Sequence, residues 1–578
     1  MSESMKIALA QINPVTGDLE GNTDKICDAI LTARRQGCDM VVFPETAVTG
    51  YMSCDLLQID DFVSTNIRLL QERIVAACHG IIAVVGTVAF SAGKTPGDRL
   101  HNTAAVIQNC RIVARADKQN LCRYRFYDET RYFTPGGGTT VATLSICGIE
   151  RRVGILICED LWDDNYPARP YRDAVKAGAE MMIVINASPF ETGKWNRRVD
   201  LIRRHQQSAP LPVIYVNATA IGDNMKGLIL FDGRSMLMDS TGALIACAPL
   251  FEDGLWFAEL DEHLHGIPGQ FATCSEEEEL YEALTFALRE YCRQTGFRRV
   301  LLGMSGGIDS SLCAALAAAA LGKANVLGVS LPSTFSSAET RRDARAVCRN
   351  LGIGFMEIPI SSLHAATVTV LAEQLPIKKG VTDENIQARL RGLLLMALAN
   401  DTDRMVIATG NKTELGLGYC TLYGDMVGGL LLIGDLNKLQ VYRVADYVNQ
   451  RAGRPVIPRE VMDRSPSAEL AHDQKDPFDY PLVAPMVDDL IARRGPEEIL
   501  AAFHGGRLGA PYPADLYSRY DGKMFQNVLA DTYRRYQSSA FKRAQASPTI
   551  IVSNRALGFD LRETIINRWW PDLALGPA

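Results

Sequence analysis

The chain has 578 residues, 47% of them hydrophobic and 22% charged, which is too long for one ordinary core and calls for two or three domains. A net charge of −7 excludes a broad basic surface, so neither nucleic acid nor membrane is expected as the main partner. The 14 cysteines include no C-x-x-C pair, which excludes a zinc ribbon or a redox dithiol; with no signal-like start and no apolar run of about 20 residues, a cytoplasmic protein is expected.

In chain order, "KIALAQI" at residues 6–12 reads as a short buried strand. "NTDKICDAILTARRQG" follows with helical spacing, an Asn or Thr cap and a Gly stop. "DMVVFPE" (39–45) and "GIIAVVGTVAF" (80–90) are two more strands, and "NTAAVIQNCRIVARADK" is a hairpin. "RVGILICED" (152–160), "MMIVINAS" (181–188) and "PVIYVNAT" (212–219) are buried strands. "SMLMDSTGALIACAP" is a second hairpin, turning near residues 239–242. The pattern fades near residues 260–273, where "DEHLHGIPGQ" reads as a linker. Two domains, 1–262 and 276–578, are therefore predicted on either side of a linker at 263–275. "SEEEELYEALTFALREYCRQTG" opens the second with a helix whose acidic first turn suits the positive end of its dipole. "RRVLLGM", "NVLGVSL" and "RMVIATG" are strands of this second α/β unit.

Between "VLLGM" and an alanine-rich helix lies "SGGIDSS". Its glycines let backbone N–H groups approach an anion at a helix start. A Walker loop would place a lysine here; this loop has Asp309 instead. A carboxylate beside phosphates needs a cation between them, which points to Mg²⁺ on a polyphosphate. By itself, a Gly-Gly turn with an Asp cap is ordinarily structural.

The whole string resembles the loop of the N-type ATP pyrophosphatases, which break the α–β bond of ATP. Together with "ENIQARLRGLLLMALAN", "ATGNKTELGLGYCTLYGDMVGG", "DLNKLQVYRVADYVN" and "PSAELAHDQKD", residues 300–476 resemble NAD⁺ synthetases. The resemblance implies a doubly wound parallel sheet. It implies ATP contacts at Ser305, Gly306, Gly307, Asp309, Ser310, Lys438 and Ser467, and Mg²⁺ on Asp309 and Glu414. Asn385, Arg389 and Asp425 would hold nicotinic acid adenine dinucleotide. It further implies a homo-oligomer, at least a dimer through this domain. Asn385 and Arg389, at i and i+4, equally suit a structural pair. After "DQKD" the chain departs from the family pattern at "PFDYPLVAP".

Free ammonia is scarce at neutral pH, so an amide-splitting site is expected in the first half. Glu45, Lys118 and Cys158 each end a predicted strand, where α/β sheets gather catalytic groups. By residue type alone a strand-end cysteine is ordinarily core, and an exposed Glu–Lys pair is a salt bridge of about 0–1 kcal/mol. Their flanks, "FPETAVTGY", "KQNLCRYRFYDETRYF" and "ICEDLW", resemble the three signature segments of the nitrilase (carbon–nitrogen hydrolase) superfamily. That implies an α-β-β-α sandwich, with Glu45 as base, Lys118 on the oxyanion, Cys158 as nucleophile and Glu129 orienting the lysine. It also implies glutamine at Tyr124, Ser188 and Lys194. Where the family commonly has L-P-N-Y-G, this chain has Leu121-Cys122-Arg123-Tyr124-Arg125.

The two halves in this order resemble glutamine-dependent NAD⁺ synthetases, implying glutamine, the acid dinucleotide and ATP as substrates. Two other readings stand beside it: another N-type amidotransferase, and a binding protein that kept both pockets without catalysis. The first lacks an N-terminal nucleophilic cysteine and a G-x-C-x-G elbow here; the second has every catalytic residue type against it.

Overall fold

The computed structural model describes residues 4–91, 100–271, 273–374, 380–471, 474–558, 561 and 563–566. The chain divides into two compact units, one formed by Met1–Asn224 with Ile229–Cys274, the other by Met225–Leu228 with Ser275–Ala578.

The first unit holds β1 (Met5–Gln11), β2 (Met40–Val42), β3 (Ile82–Phe90), β4 (Leu100–Gln108), β5 (Arg111–Asp117), β6 (Thr140–Ile146) and β7 (Ile149–Ile157). It continues with β8 (Met181–Asn186), β9 (Val213–Asn217), β10 (Thr219–Asp223), β11 (Gly227–Asp232), β12 (Met236–Met238), β13 (Leu244–Cys247) and β14 (Gly254–Leu260). Two six-stranded sheets form, in the orders β14-β1-β2-β3-β4-β5 and β13-β12-β9-β8-β7-β6. Strand alternation sorts their side chains into layers. Ile7, Leu9, Val84, Ile155 and Ile183 meet in the core between the sheets. Ala8, Ala10, Val41 and Val85 face outward onto the helix Leu19–Arg35 through Ile26 and Ile30. Leu156, Met182 and Val184 face the helices Pro170–Lys176 and Lys194–Ser208 through Tyr171, Val199 and Ile202. The result is the α-β-β-α sandwich. Both hairpins form as expected: β4 pairs antiparallel with β5, and β12 with β13 across a turn held by Asp239, whose Oδ1 accepts from Thr241 N at 2.9 Å.

One strand is shorter than its hydrophobicity predicts. β2 ends at Val42, and Glu45 stands three residues beyond it. Pro44 has no N–H to continue a ladder. Gly86 also brings β3 so close that a Cβ there would sit 2.1 Å from Pro44 O and 2.5 Å from Thr46 N. Glu45 is thus turned into the space beyond the sheet rather than kept within it.

The second unit carries β15 (Val300–Gly303), β16 (Val326–Ser330), β17 (Gly354–Glu357), β18 (Met405–Ala408), β19 (Leu430–Leu431) and β20 (Thr549–Ile551). They run parallel in the order β20-β19-β18-β15-β16-β17. Leu301 and Val406 pack against Leu395, Leu398 and Ala399 of the helix Val381–Thr402. Helices Glu276–Thr295, Ile308–Leu321 and Lys438–Ala452 pack together. The acidic run begins where expected: Ser275 caps it by accepting from Glu278 N at 3.2 Å. Strand order turns outward on both sides of β15, a switch point where doubly wound sheets bind ligands.

Gly86→Ala is expected to cost about 1–3 kcal/mol of stability, because both close atoms are backbone. Gly137→Ala, with nothing within 4 Å of its added Cβ, should stay within about 0.5 kcal/mol. Denaturant midpoints compare the two.

Candidate active sites

In the first unit the predicted trio gathers beyond the strand ends. Lys118 follows β5 and is fully buried; its Nζ donates to Glu45 Oε1 and to Glu129 Oε1, 2.7 Å each. Glu45 is held from every side: Asn102 Nδ2 donates to Oε1 at 2.7 Å and Ala187 N to Oε2 at 2.8 Å. Glu129 Oε2 accepts from Cys122 N at 2.6 Å, and its Oε1 from the Tyr51 hydroxyl at 2.9 Å. Cys158 follows β7 with φ +47°, a left-handed turn that bends the chain into a short 3₁₀ segment, Cys158–Asp160.

Burial works to strip the proton from Lys118, but Glu129 and Glu45 outweigh it and hold the ammonium charged. Burial raises Glu45 above the usual carboxylate range, with Lys118 opposing. Burial also pushes the Cys158 thiol well up, and Glu45 adds to the push. The resting site therefore pairs a neutral thiol with a carboxylate of raised proton affinity, an arrangement that suits proton transfer as the sulfur attacks.

Three further residues shape this site that sequence reasoning missed. Asp160 accepts through Oδ1 from Gln119 N (3.0 Å) and Asn120 N (2.8 Å), and through Oδ2 from Ile157 N (3.2 Å). It thus ties the lysine-bearing turn to the cysteine-bearing one. Asn102, on β4, and Tyr51, in a turn after β2, are the others; no spacing in the sequence marks them, because Asn102 meets Glu45 from 57 residues away and Tyr51 meets Glu129 from 78. Among the expected glutamine contacts, the Tyr124 hydroxyl donates to Glu159 Oε2 at 3.1 Å. Ser188 lies just past β8, its N–H donating to Asn217 Oδ1 at 2.8 Å. Lys194 opens the helix Lys194–Ser208, and burial, opposed by Glu191, lowers it to about 8.

In the second unit, a cavity of about 310 Å³ opens at the carboxyl ends of β15, β16 and β18. Ser305, Gly307, Asp309, Ser310, Lys438 and Ser467 line it. Gly307 is the N-cap of the helix Ile308–Leu321; its N–H donates to Ser305 Oγ at 3.2 Å, and Ser305 Oγ lies 3.1 Å from Ser310 Oγ. Gly306 has φ +85°, and a Cβ there would sit 2.2 Å from Thr340 O, so only glycine fits. Lys438 Nζ donates to Asp309 Oδ2 at 2.5 Å and to Glu414 Oε1 at 3.4 Å. Asn411 braces both acids, with Nδ2 to Asp309 Oδ1 at 2.9 Å and its N–H to Glu414 Oε2 at 3.2 Å. Burial, then Asp309, pushes Glu414 up to about 8. Two carboxylates crowded at one lysine are short of positive charge, and their oxygens suit a hard cation. Among the described residues no third acidic or imidazole ligand joins them. Magnesium bound by one or two carboxylates and completed by phosphate oxygens fits this set.

Asp425 and Glu414 also line the cavity, whereas Asn385 and Arg389 lie outside its wall. Asn385 Oδ1 accepts from Thr421 Oγ1 at 2.7 Å and Arg389 Nε donates to Leu422 O at 3.2 Å, so this i, i+4 pair fastens its helix to the loop bearing Asp425. Arg391, two residues on, does reach the cavity; its Nε donates to Leu331 O at 2.9 Å, and burial lowers it to about 10. The family resemblance marked Asn385 and Arg389 and passed over it. Ser467 Oγ donates to Gln474 O at 2.5 Å, closing the "PSAEL" turn; residues 472 and 473 of that segment lie outside the described residues.

Residues 6–266 match the family model described as Carbon-nitrogen hydrolase, and residues 280–504 that described as NAD synthase. The chain is 35% identical to the glutamine-dependent NAD(+) synthetase of a Synechocystis species, over 98% of this chain and 99% of that one. It is 33% identical to the enzyme of the same name from Acinetobacter baylyi, over 99% and 100%. A solved glutamine-dependent NAD⁺ synthetase from Acinetobacter baumannii, in complex with ADP, superposes with a TM-score of 0.75 at 31% identity, covering 98% of this chain and 99% of that one.

Replacing Lys118 by methionine strands two buried carboxylates. The expected loss is about 3–5 kcal/mol of unfolding free energy for the first unit, read from urea denaturation.

Proposed function

The chain belongs to the glutamine-dependent NAD⁺ synthetase family, and from that premise we propose how its residues divide the work. The enzyme uses glutamine, ATP and nicotinic acid adenine dinucleotide to make NAD⁺. The glutaminase domain is 1–262, the synthetase domain 276–578, and 263–275 links them.

In the glutaminase domain the Cys158 sulfur attacks the side-chain amide carbon of glutamine while Glu45 takes the thiol proton. Lys118, kept charged by Glu129, stabilises the oxyanion. Glu45 returns the proton to the departing nitrogen, ammonia leaves, and water then releases glutamate from the thioester. Tyr124, Ser188 and Lys194 hold the amino-acid end of the substrate.

In the synthetase domain Ser305, Gly306, Gly307 and Ser310 cradle the phosphates of ATP at a helix start, with Ser467 across the cavity. Asp425 and Arg391 hold the acid dinucleotide with its nicotinate carboxylate toward the α-phosphate, and Asn385 and Arg389 act on it through the loop that they fasten. Lys438 stabilises charge on the leaving diphosphate. Mg²⁺, when bound by Asp309 and Glu414, supplies further charge neutralisation there. The carboxylate is adenylated, ammonia displaces AMP, and NAD⁺ results.

The observation that carries this reading is the pairing, in one chain, of a buried Glu45–Lys118–Glu129 bridge beside Cys158 with a glycine-loop cavity holding Asp309, Glu414 and Lys438. Exposed apolar side chains on one helix, Val381, Leu393 and Met396, support a homo-oligomer built through the synthetase domain, at least a dimer. Cysteines dispersed along the chain with no C-x-x-C pair support a cytoplasmic enzyme; no helix among the described residues is long and apolar enough to cross a membrane.

Cys158→Ala is expected to abolish glutamine-driven NAD⁺ formation and leave ammonia-driven formation within about twofold; equal loss of both would refute the division of labour. Asp309→Asn should lower both routes by about 100-fold or more, measured as AMP release at saturating magnesium.

A further inference from the structure

The turn after Tyr124 holds an arginine where the backbone favours glycine. Arg125 has φ +56°, in the left-handed region that favours glycine. A strained position occupied by a long charged residue invites a functional reason. Arg125 Nη1 donates to Glu191 Oε2 at 2.9 Å, and the two side chains are only 10% and 5% exposed. Its guanidinium carbon lies 5.2 Å from the centre of the Phe126 ring. The other oxygen of Glu191, Oε1, is taken by Arg197.

Both oxygens of Glu191 are therefore held by guanidinium groups. Lys194 stands three residues after Glu191 and has no ion-pair partner among the described residues. Glu191 attracts it electrostatically, but a carboxylate already neutralised twice has little pull left on a third cation, and Arg125 itself repels the ammonium. Arg198 also repels the ammonium, and its own partner Asp232 is taken up by it bidentately at 2.9 and 2.8 Å. Arg125, Lys194 and Arg197 against Glu191 are three cations against one anion, an excess of positive charge within electrostatic reach of Cys158.

We propose that Arg125 is a positioning residue for glutamine selectivity: by occupying Glu191 it keeps Lys194 unpaired, so that Lys194 meets the α-carboxylate of the amide bound at Cys158. Without Arg125, Glu191 Oε2 is open and Lys194 turns to it. The inference rests on the glutaminase assignment above. It adds that a largely buried charge at a left-handed turn sets which amides are accepted.

The test compares Arg125→Gly, Arg125→Gln and Arg125→Lys in the full-length enzyme. Glutamine KM is expected to rise about tenfold in the first two with kcat within about threefold, and to return toward the parent value in Arg125→Lys. The second readout is alkylation of Cys158, followed by mass spectrometry, with anionic iodoacetate and neutral iodoacetamide. The iodoacetate-to-iodoacetamide rate ratio should fall about fivefold in the glycine and glutamine variants and recover in the lysine variant. A purely structural role would change both rates together. An unchanged KM and ratio, or a parallel loss of both alkylation rates, overturns the proposal. A parent enzyme that forms no glutamate from glutamine sinks the glutaminase assignment instead.

Discussion

One lysine shut away from water between two carboxylates governs the first unit. A buried ammonium is costly unless paired, and so is each buried carboxylate. Lys118 can exist charged only because Glu45 and Glu129 approach it together, and they can stay there only because backbone N–H groups from Ala187 and Cys122 reach their remaining oxygens. Those amides belong to separate stretches of chain, so the electrostatics demands the sandwich and the sandwich fixes the electrostatics. Burial first, and then the one negative charge the trio carries in excess, keeps the cysteine beside it a thiol and raises the glutamate's hold on a proton.

The second unit repeats the motif of one lysine and two acids in a different setting. Lys438 is buried, but Asp309 and Glu414 open onto a cavity. In the proposed reaction an incoming polyphosphate would compete for Lys438 and leave the acids free for a cation. The closed version suits a site that must keep its charges in place through two proton transfers. The open version suits a site that is assembled anew by each nucleotide.

Residues named by chemistry were legible in the sequence; residues named by geometry were not. Glu45, Lys118 and Cys158 could be placed at strand ends from hydrophobic runs alone, and their flanks identified the superfamily. The left-handed turn at Cys158 could not be read, since cysteine has no preference for it and the turn is imposed by Asp160 and the sheet ahead. The pairing of β14 with β1 was equally hidden, because the partners lie about 250 residues apart and alternation says nothing about which edge a strand joins. Arg391 escaped because the family resemblance marked Asn385 and Arg389 on the same helix, whereas the wall of the cavity selects by direction. Crossover and hairpin patterns showed a mixed α/β chain, the sandwich and the doubly wound sheet came from the family resemblances, and the packed helices after residue 480 carried no motif to read.

Asp160 has a wider consequence. Its three accepted bonds join the end of β7, in one sheet, to the residues after β5, in the other. Packed sheets resist being pulled apart far better than they resist sliding, since apolar contact is nearly indifferent to small lateral offsets. A directional polar clamp at the reactive rim supplies the missing shear stiffness. The turn that bears Cys158 and the one after Lys118 are thereby held at a fixed spacing.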